Sequence, residues 1–229
     1  MFLFSRKNHI NYFMKSKVLL IALATTVFAI GAKAQDKATF GVRAGLNFQN
    51  LTGERQNGSS LNTKIKTGVH LGINVEVPIA PDFYIQPGLL LSTKGAKDKD
   101  LRKVNYRLTY LEIPINLLFK PELADGKLLL GFGPYVAFAV GGSYTNANGN
   151  KRSYEFDNKV TIDENDGRPY VKRMDVGGNL LAGYELSNKL SFQLNAQLGL
   201  TNIAPKIEGY GRDKIKNSGF GVSVGYRIN

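Results

Sequence analysis

The side chains of this sequence best suited to acid–base chemistry are one of its two histidines, His70, and three acidic residues, Glu112, Asp175 and Glu185. A histidine held beside a carboxylate can transfer protons near neutral pH. The other histidine, His9, lies near the N-terminus, so a multi-histidine metal site is excluded. The absence of cysteine excludes a catalytic thiol, thiolate metal ligands and disulfides. No metal and no cofactor is predicted.

Residues 189–200 show which elements must position these groups, because their side chains alternate between apolar and polar without a break. A β-strand presents successive side chains to opposite faces. In a barrel that crosses a bilayer, the apolar set faces lipid and the polar set faces the lumen. The same period of two recurs along the chain, so the sequence predicts a transmembrane β-barrel with a polar interior.

The pattern predicts eight strands. The third and fifth are less regular, because Pro87 and Pro134 interrupt the ladder and Leu90 and Leu129 fall on the polar face. The predicted strands cover residues 38–48, 64–77, 82–94, 104–119, 127–140, 171–186, 189–200 and 215–229.

The connections alternate in length. Residues 78–81, 120–126 and 187–188 are short turns, whereas residues 49–63, 95–103, 141–170 and 203–214 are long and rich in Asn, Gly, Lys and Asp. Outer-membrane barrels have short periplasmic turns and long external loops. We therefore predict an all-β fold, an eight-stranded antiparallel up-and-down transmembrane β-barrel with both termini in the periplasm. Within the third long loop, Tyr154, Phe156, Val160 and Ile162 flank Asp157-Asn158 and predict an extra hairpin.

A water-soluble β-sandwich or a lipocalin-type barrel is the alternative, because its strands also alternate. Apolar faces near the ~10 residues of a membrane crossing argue against it, since soluble strands average about 5 or 6 residues. The opposite faces also carry more Gly, Asn, Gln, Arg and Glu than a packed core accepts.

The N-terminus resembles an export signal. Met14 is followed by two lysines, an apolar run over residues 18–30 and small residues at Ala32 and Ala34. The apolar run is too short for the roughly 20 residues of a spanning helix. We predict a signal peptide over residues 1–34, with Met14 as the true start, and a barrel domain over residues 35–229. The formal net charge of +12 includes basic residues of this leader, and the remaining excess suggests anionic partners without requiring nucleic acid.

Strand parity also assigns charges to the lumen. The predicted inward set, together with His70, has four cations and four carboxylates: Arg43, Lys66, Arg173, Arg227, Glu76, Glu112, Asp175 and Glu185. Charges withdrawn from water need partners, so a paired network is one interpretation. An acid–base site of His70 with Glu112, Glu185 or Asp175 is the other. An eight-stranded barrel is just wide enough to be filled by its side chains, which argues against conduction.

Several motifs resemble the PorT-like outer-membrane β-barrel family of Gram-negative bacteria. They are QPGL at 86–89, STKG at 92–95, YLEIP at 110–114, GFGPY at 131–135 and GLTNI at 199–203. The likeness spans essentially the whole mature chain. It implies a barrel integral to the outer membrane, and one branch of the family is implicated in protein secretion across that membrane.

Cations in two predicted external loops could meet lipopolysaccharide phosphates: Lys97, Lys99, Arg102, Lys103, Arg212 and Lys214. Acidic residues are interspersed, so solvated loops are the alternative. We expect a small integral cell-envelope barrel that is not an enzyme, with a structural or interaction role, possible envelope or secretion partners and no nucleic-acid partner. The alternatives are a barrel enzyme acting on lipid or peptide and a pathway for a small ligand or ion.

Overall fold

The computed structural model describes residues 38–99, 104–161, 169–209 and 212–228. Eight long strands make up most of this part: β1 (Thr39–Glu54), β2 (Thr63–Ala80), β3 (Phe83–Asp98), β4 (Asn105–Phe119), β5 (Gly126–Thr145), β6 (Met174–Glu185), β7 (Leu190–Gly199) and β8 (Lys214–Arg227). The predicted signal peptide, residues 1–34, lies outside the described residues. Among those described, no helix is long and apolar enough to cross a membrane.

Each strand pairs antiparallel with its neighbours in the chain. The first and last strands also pair, from Gly41 opposite Arg227 to Glu54 opposite Lys214. This pairing closes the sheet and leaves no free edge among the eight strands. The prediction of an eight-stranded antiparallel barrel is therefore confirmed.

Three strands are clearly longer than predicted at the long-loop end. β1 continues to Glu54, β3 to Asp98 and β5 to Thr145. The connections at this end are residues 55–62, 99–104, 146–173 and 200–213, of which the first three are shorter than predicted and the fourth is two residues longer. The connections at the other end are residues 81–82, 120–125 and 186–189. The predicted alternation of long and short connections holds except around β4, where residues 99–104 and 120–125 are six residues each. The chain enters β1 and leaves β8 at the short-turn end.

The outward faces are apolar over the height of a membrane. Leu71, Leu180 and Leu194 each expose about 62% of their surface, and other outward leucines, valines and phenylalanines are also exposed. The outward apolar residues run from Leu190 of β7 to Leu200 just past its end, about 34 Å along the strand. With the strand tilted by ~40°, this corresponds to about 25 Å along the membrane normal. This apolar belt matches the lipid-facing band of outer-membrane barrels.

The two prolines do not end their strands. Pro87 lies within β3 and Pro134 within β5, and both face outward. Leu90 and Leu129 face the lumen, as predicted, and are buried at 4% and 2% exposure. Each proline lacks an N–H for the ladder, but pairing resumes on both sides of it.

The predicted hairpin in the third long loop is wrong in the described residues, and Ile162 lies outside them. Residues 151–153 extend the sheet beside β5. Residues 155–156 pair in parallel with residues 170–171, and residues 159–160 pair in parallel with residues 206–207. Beyond a local hairpin between residues 143–145 and 151–153, the loop is therefore held by partners further away in sequence rather than by a turn at Asp157-Asn158.

Candidate functional site in the barrel lumen

A charged cluster crosses the lumen at the short-turn end. Lys120 directly follows β4 and is buried. Its Nζ lies 2.8 Å from Oε2 of Glu76 and 2.7 Å from Oε2 of Glu185. Nη2 of Arg227 lies 2.9 Å from the other carboxylate oxygen of Glu185. The amide of Gln86 donates to Glu76 at 3.2 Å. We call these five residues the lumen floor.

A second cluster surrounds Lys94, whose side chain is fully buried. Its Nζ lies 2.9 Å from Glu112 and 3.6 Å from Asp175. The same ammonium lies 4.2 Å from the ring centroid of Tyr135 and 5.4 Å from that of Tyr110. Two carboxylates and two aromatic faces therefore compensate one buried cation.

Asp175 is held by several further donors. It accepts hydrogen bonds from Tyr135 at 3.2 Å, Asn217 at 2.9 Å and Thr201 at 3.0 Å. The amide of Gln197 donates to Glu112. Both carboxylate oxygens of Asp175 therefore accept hydrogen bonds from neighbouring side chains.

The structure places His70 in a neutral polar cluster. Nδ1 of its ring lies 2.8 Å from Oδ1 of Asn47, and Nε2 lies 2.8 Å from the hydroxyl of Ser223. Asn47 continues the chain of contacts by donating to Ser92 at 3.0 Å. Both ring nitrogens are thus engaged, and neither lies within hydrogen-bond distance of Glu112, Asp175 or Glu185 among the described residues. The arrangement that an acid–base pair requires is not formed.

Arg43 is buried in the lumen wall at 6% exposure. Its Nε has no hydrogen-bond partner among the described residues. The carboxylate that interacts electrostatically with the guanidinium is that of Glu112. Arg43, Lys94, Lys120 and Arg227 face Glu76, Glu112, Asp175 and Glu185. Among the described residues below the long-loop rim, the lumen therefore carries four charges of each sign.

Two of the predicted lumen cations lie elsewhere. The ammonium of Lys66 is at the long-loop rim, where it donates to Oδ1 of Asn105 at 2.5 Å and to the carbonyl of Tyr106 at 2.9 Å. Arg173 is exposed before β6 begins, and its guanidinium carbon lies 4.8 Å from the ring centroid of Phe156. Parity fails for Lys66 because β2 is irregular between Ile65 and His70.

The lumen cations that sequence reasoning missed are Lys94 and Lys120. The predicted third strand ends at Lys94, which is not among the predicted inward charges, whereas β3 continues to Asp98. Lys94 shares the parity of Leu90 and Ser92, and Lys120 shares that of Asn116 and Leu118. Parity identifies Lys94 at the last residue of the predicted third strand and Lys120 one residue past the end of the fourth.

Apolar side chains fill the lumen at the long-loop end. Leu108, Tyr110 and Tyr135 are at most 2% exposed, and Val171 and Ile203 from the long connections pack onto them. The complete buried cluster is Leu51, Ala96, Leu108, Tyr110, Tyr135, Ala137, Ala139, Val171 and Ile203, with Leu61, Tyr106, Tyr154, Phe156 and Ile215 partly buried against it. We call this cluster the lumen plug.

A cavity of about 510 Å³ opens above the lumen plug. Tyr144, Tyr154 and Tyr170 line it together with Asp98 and Asp213. Burial raises the pKa of the Tyr154 phenol well above its usual range. In the described part of the chain, no group of three or more His, Asp or Glu side chains could hold a metal ion.

The predicted loop cations lie in different surroundings. Lys97 and Lys99 are exposed at and just after the end of β3. Nε of Arg212 donates to the carbonyl of Ala204 at 3.3 Å, and Lys214 pairs with Glu54 at 3.2 Å. Arg102 and Lys103 lie outside the described residues.

Three solved structures show a likeness to the chain. Ail, the attachment invasion locus protein of Yersinia pestis, solved with the heparin analogue sucrose octasulfate, is 13% identical at a TM-score of 0.41 and covers 83% of this chain and 99% of its own. Neisserial surface protein A is 13% identical at a TM-score of 0.45, covering 83% and 97%. A major outer membrane protein of Thermus thermophilus is 15% identical at a TM-score of 0.44, covering 84% and 100%.

No curated protein matches the sequence. The family model of the outer membrane protein beta-barrel domain matches residues 33–204, which include seven of the eight strands. The apolar belt, the charged lumen and this match agree on a small barrel of the outer membrane. The chain belongs to the outer membrane protein beta-barrel domain family.

Proposed function

We propose that the protein is a non-conducting outer-membrane barrel with a structural or interaction role, carried by its loops and rim. The observation that supports this most is the filling of the lumen at two levels, the lumen floor and the lumen plug. A solute would have to displace a buried ion-pair network and a packed apolar cluster. The engagement of both nitrogens of His70 by neutral partners argues against the alternative of a barrel enzyme.

The PorT-like motifs give this role a direction, an accessory function in protein secretion. In this proposal the short-turn end and both termini are periplasmic, and the long loops face outward. The loop cations Lys97, Lys99, Arg102, Lys103, Arg212 and Lys214 would then stand at the level of lipopolysaccharide.

Cross-linking in intact outer membranes tests the secretion role. Purification of this barrel after cross-linking is expected to recover envelope or secretion proteins attached to its loops or turns. Recovery of the barrel alone, or with lipopolysaccharide only, would contradict the role.

The orientation of the barrel in the membrane can be tested by labelling introduced cysteines, because the chain has no cysteine of its own. Asn148→Cys introduces a thiol in the longest loop, and Ser187→Cys introduces one in a short turn; both positions are exposed. An impermeant maleimide is expected to label Asn148→Cys, but not Ser187→Cys, in intact cells. The reverse pattern would invert the assigned orientation.

A further inference from the structure

A row of residues crosses five strands at the long-loop rim. Lys64 of β2 lies opposite Lys97 of β3, and Lys97 lies opposite Asn105 of β4. Asn105 lies opposite Thr145 of β5, which lies opposite Lys151 of the short strand beside it. Directly paired residues share a face of a sheet, so these side chains form one polar row around part of the wall.

This row lies on the outer wall. Lys97 has the parity of Leu91, which is outward and 52% exposed. Arg107 is exposed one step below the row and has the parity of Leu111 and Ile113. Arg107 lies opposite Gly95 of β3, and because Gly95 has no side chain, β3 places none of its own on the outer wall between β2 and β4 at this level.

Lys66 reaches into the same area through its hydrogen bond to the side chain of Asn105. The ammonium of Lys66 is repelled electrostatically by three neighbouring cations, Arg107, Lys97 and Lys151. We define the outer-wall cation patch as Lys64, Lys66, Lys97, Arg107 and Lys151.

The patch has no anionic partner in the described part of the chain. None of its five cations makes an ion pair there, whereas Lys214 at the same rim is paired with Glu54. Like charges directly opposite each other on a sheet are destabilising, and Lys64 and Lys97 are such a pair. An anion from outside the chain would relieve this repulsion.

The height of the patch indicates where that anion comes from. Arg107 is four residues beyond Leu111, about 14 Å along the strand and about 10 Å in height at a tilt of ~40°. The headgroup region on each side of the hydrocarbon core is roughly 5 to 8 Å thick. Long cationic side chains bend toward such an interface, so the charges lie at the depth of lipid phosphates.

We propose that the outer-wall cation patch binds the phosphate groups of a lipid headgroup in the leaflet at the long-loop end. The inference rests on the lipid contact proposed above and moves it from the loops to the wall. Only Lys97 belongs to both sets of residues. The ammonium and guanidinium groups neutralise the phosphate, and the row also supplies Asn105 and Thr145 as neutral hydrogen-bonding side chains.

Retention of a labelled lipid in nanodiscs tests the patch. The discs are phosphatidylcholine with a small fraction of fluorescent lipid A, and the labelled lipid that stays with the folded barrel is measured. Lys97→Gln with Arg107→Gln is expected to lower retention about fivefold per cation, or about 25-fold, at low salt. The control variant Lys127→Gln with Lys189→Gln makes the same charge change at the short-turn rim and is expected to change retention less than twofold.

Each outcome decides between explanations. Equal retention by the wild type and the patch variant, or an equal loss in the control variant, would overturn the proposal. Displacement of the lipid by millimolar inorganic phosphate would also overturn it, because the site would then bind the free ion. Heat-dependent gel migration verifies that each variant is folded. Both leaflets of the disc contain the same lipid, so the result is independent of the orientation and secretion role proposed above.

Discussion

Replacing Lys120 by methionine removes one charge from the lumen floor while nearly preserving side-chain length. Lys120 is 3% exposed and is the shared partner of Glu76 and Glu185. After the substitution, Glu185 still has Arg227 at 2.9 Å. Glu76 keeps only the amide of Gln86 at 3.2 Å. The unpaired charge therefore resides mainly on Glu76.

The expected loss in free energy of unfolding for Lys120→Met is about 3 to 5 kcal/mol, since a buried ion pair loses one partner. Adding Glu76→Gln removes the carboxylate left behind. The double variant is expected to recover about 2 kcal/mol or more, because coupling between contacting residues reaches that size. The recovery measures the electrostatic part of the loss, because Glu76→Gln removes the unpaired charge but does not restore the packing around residue 120.

Urea unfolding in lipid vesicles, followed by far-ultraviolet circular dichroism, measures these differences. Lys127→Met is the matched control, because its Nζ lies 4.0 Å from a Glu122 side chain that is 83% exposed. Exposed pairs contribute little, so the control is expected to change stability by less than about 1 kcal/mol. A loss for Lys120→Met no larger than that of the control would refute the reasoning.

Three further outcomes follow from the barrel geometry. Leu194→Arg puts a charge on the lipid face and should cost about 2 to 4 kcal/mol near the midplane, more than Gln193→Arg on the lumen face; vesicle unfolding checks this, and the reverse order would invert the assigned faces. Gly45→Ala places a Cβ 2.0 Å from the carbonyl oxygen of Val222 and should cost about 1 to 3 kcal/mol, whereas Gly178→Ala meets no atom within 4 Å and should be nearly neutral in the same assay. Planar-bilayer recordings of the wild type should show no conductance steps, and a stable open level would contradict a filled lumen.

Much of the fold follows from alternation alone. Phe40, Val42 and Leu46 of β1 face outward, and Arg43 and Asn47 face the lumen, as the sequence pattern predicts. Alternation is reliable here because lipid and lumen impose opposite polarity on adjacent residues. The number of strands follows from the same constraint.

Parity was less reliable at strand ends and irregular positions. Beyond the apolar belt the outward residues become polar, so the sequence gives no signal for the end of β3 at Asp98. The irregularity of β2 before His70 changes which face Lys66 presents. Pairing inside the longest loop, such as Phe156 with Val171, depends on partners far apart in sequence. None of these features has a local signature.

The lumen floor also constrains the order in which the barrel can form. Its contacts join Glu76 of β2, Lys120 after β4, Glu185 of β6 and Arg227 of β8. Each contact joins strands two apart in chain order, so no single hairpin can enter the bilayer with its charges neutralised. The complete network needs strands from all parts of the sequence, and loop-closure entropy is lost before such distant contacts form. Neutralisation of the lumen floor is therefore expected late in folding, after most of the sheet has assembled.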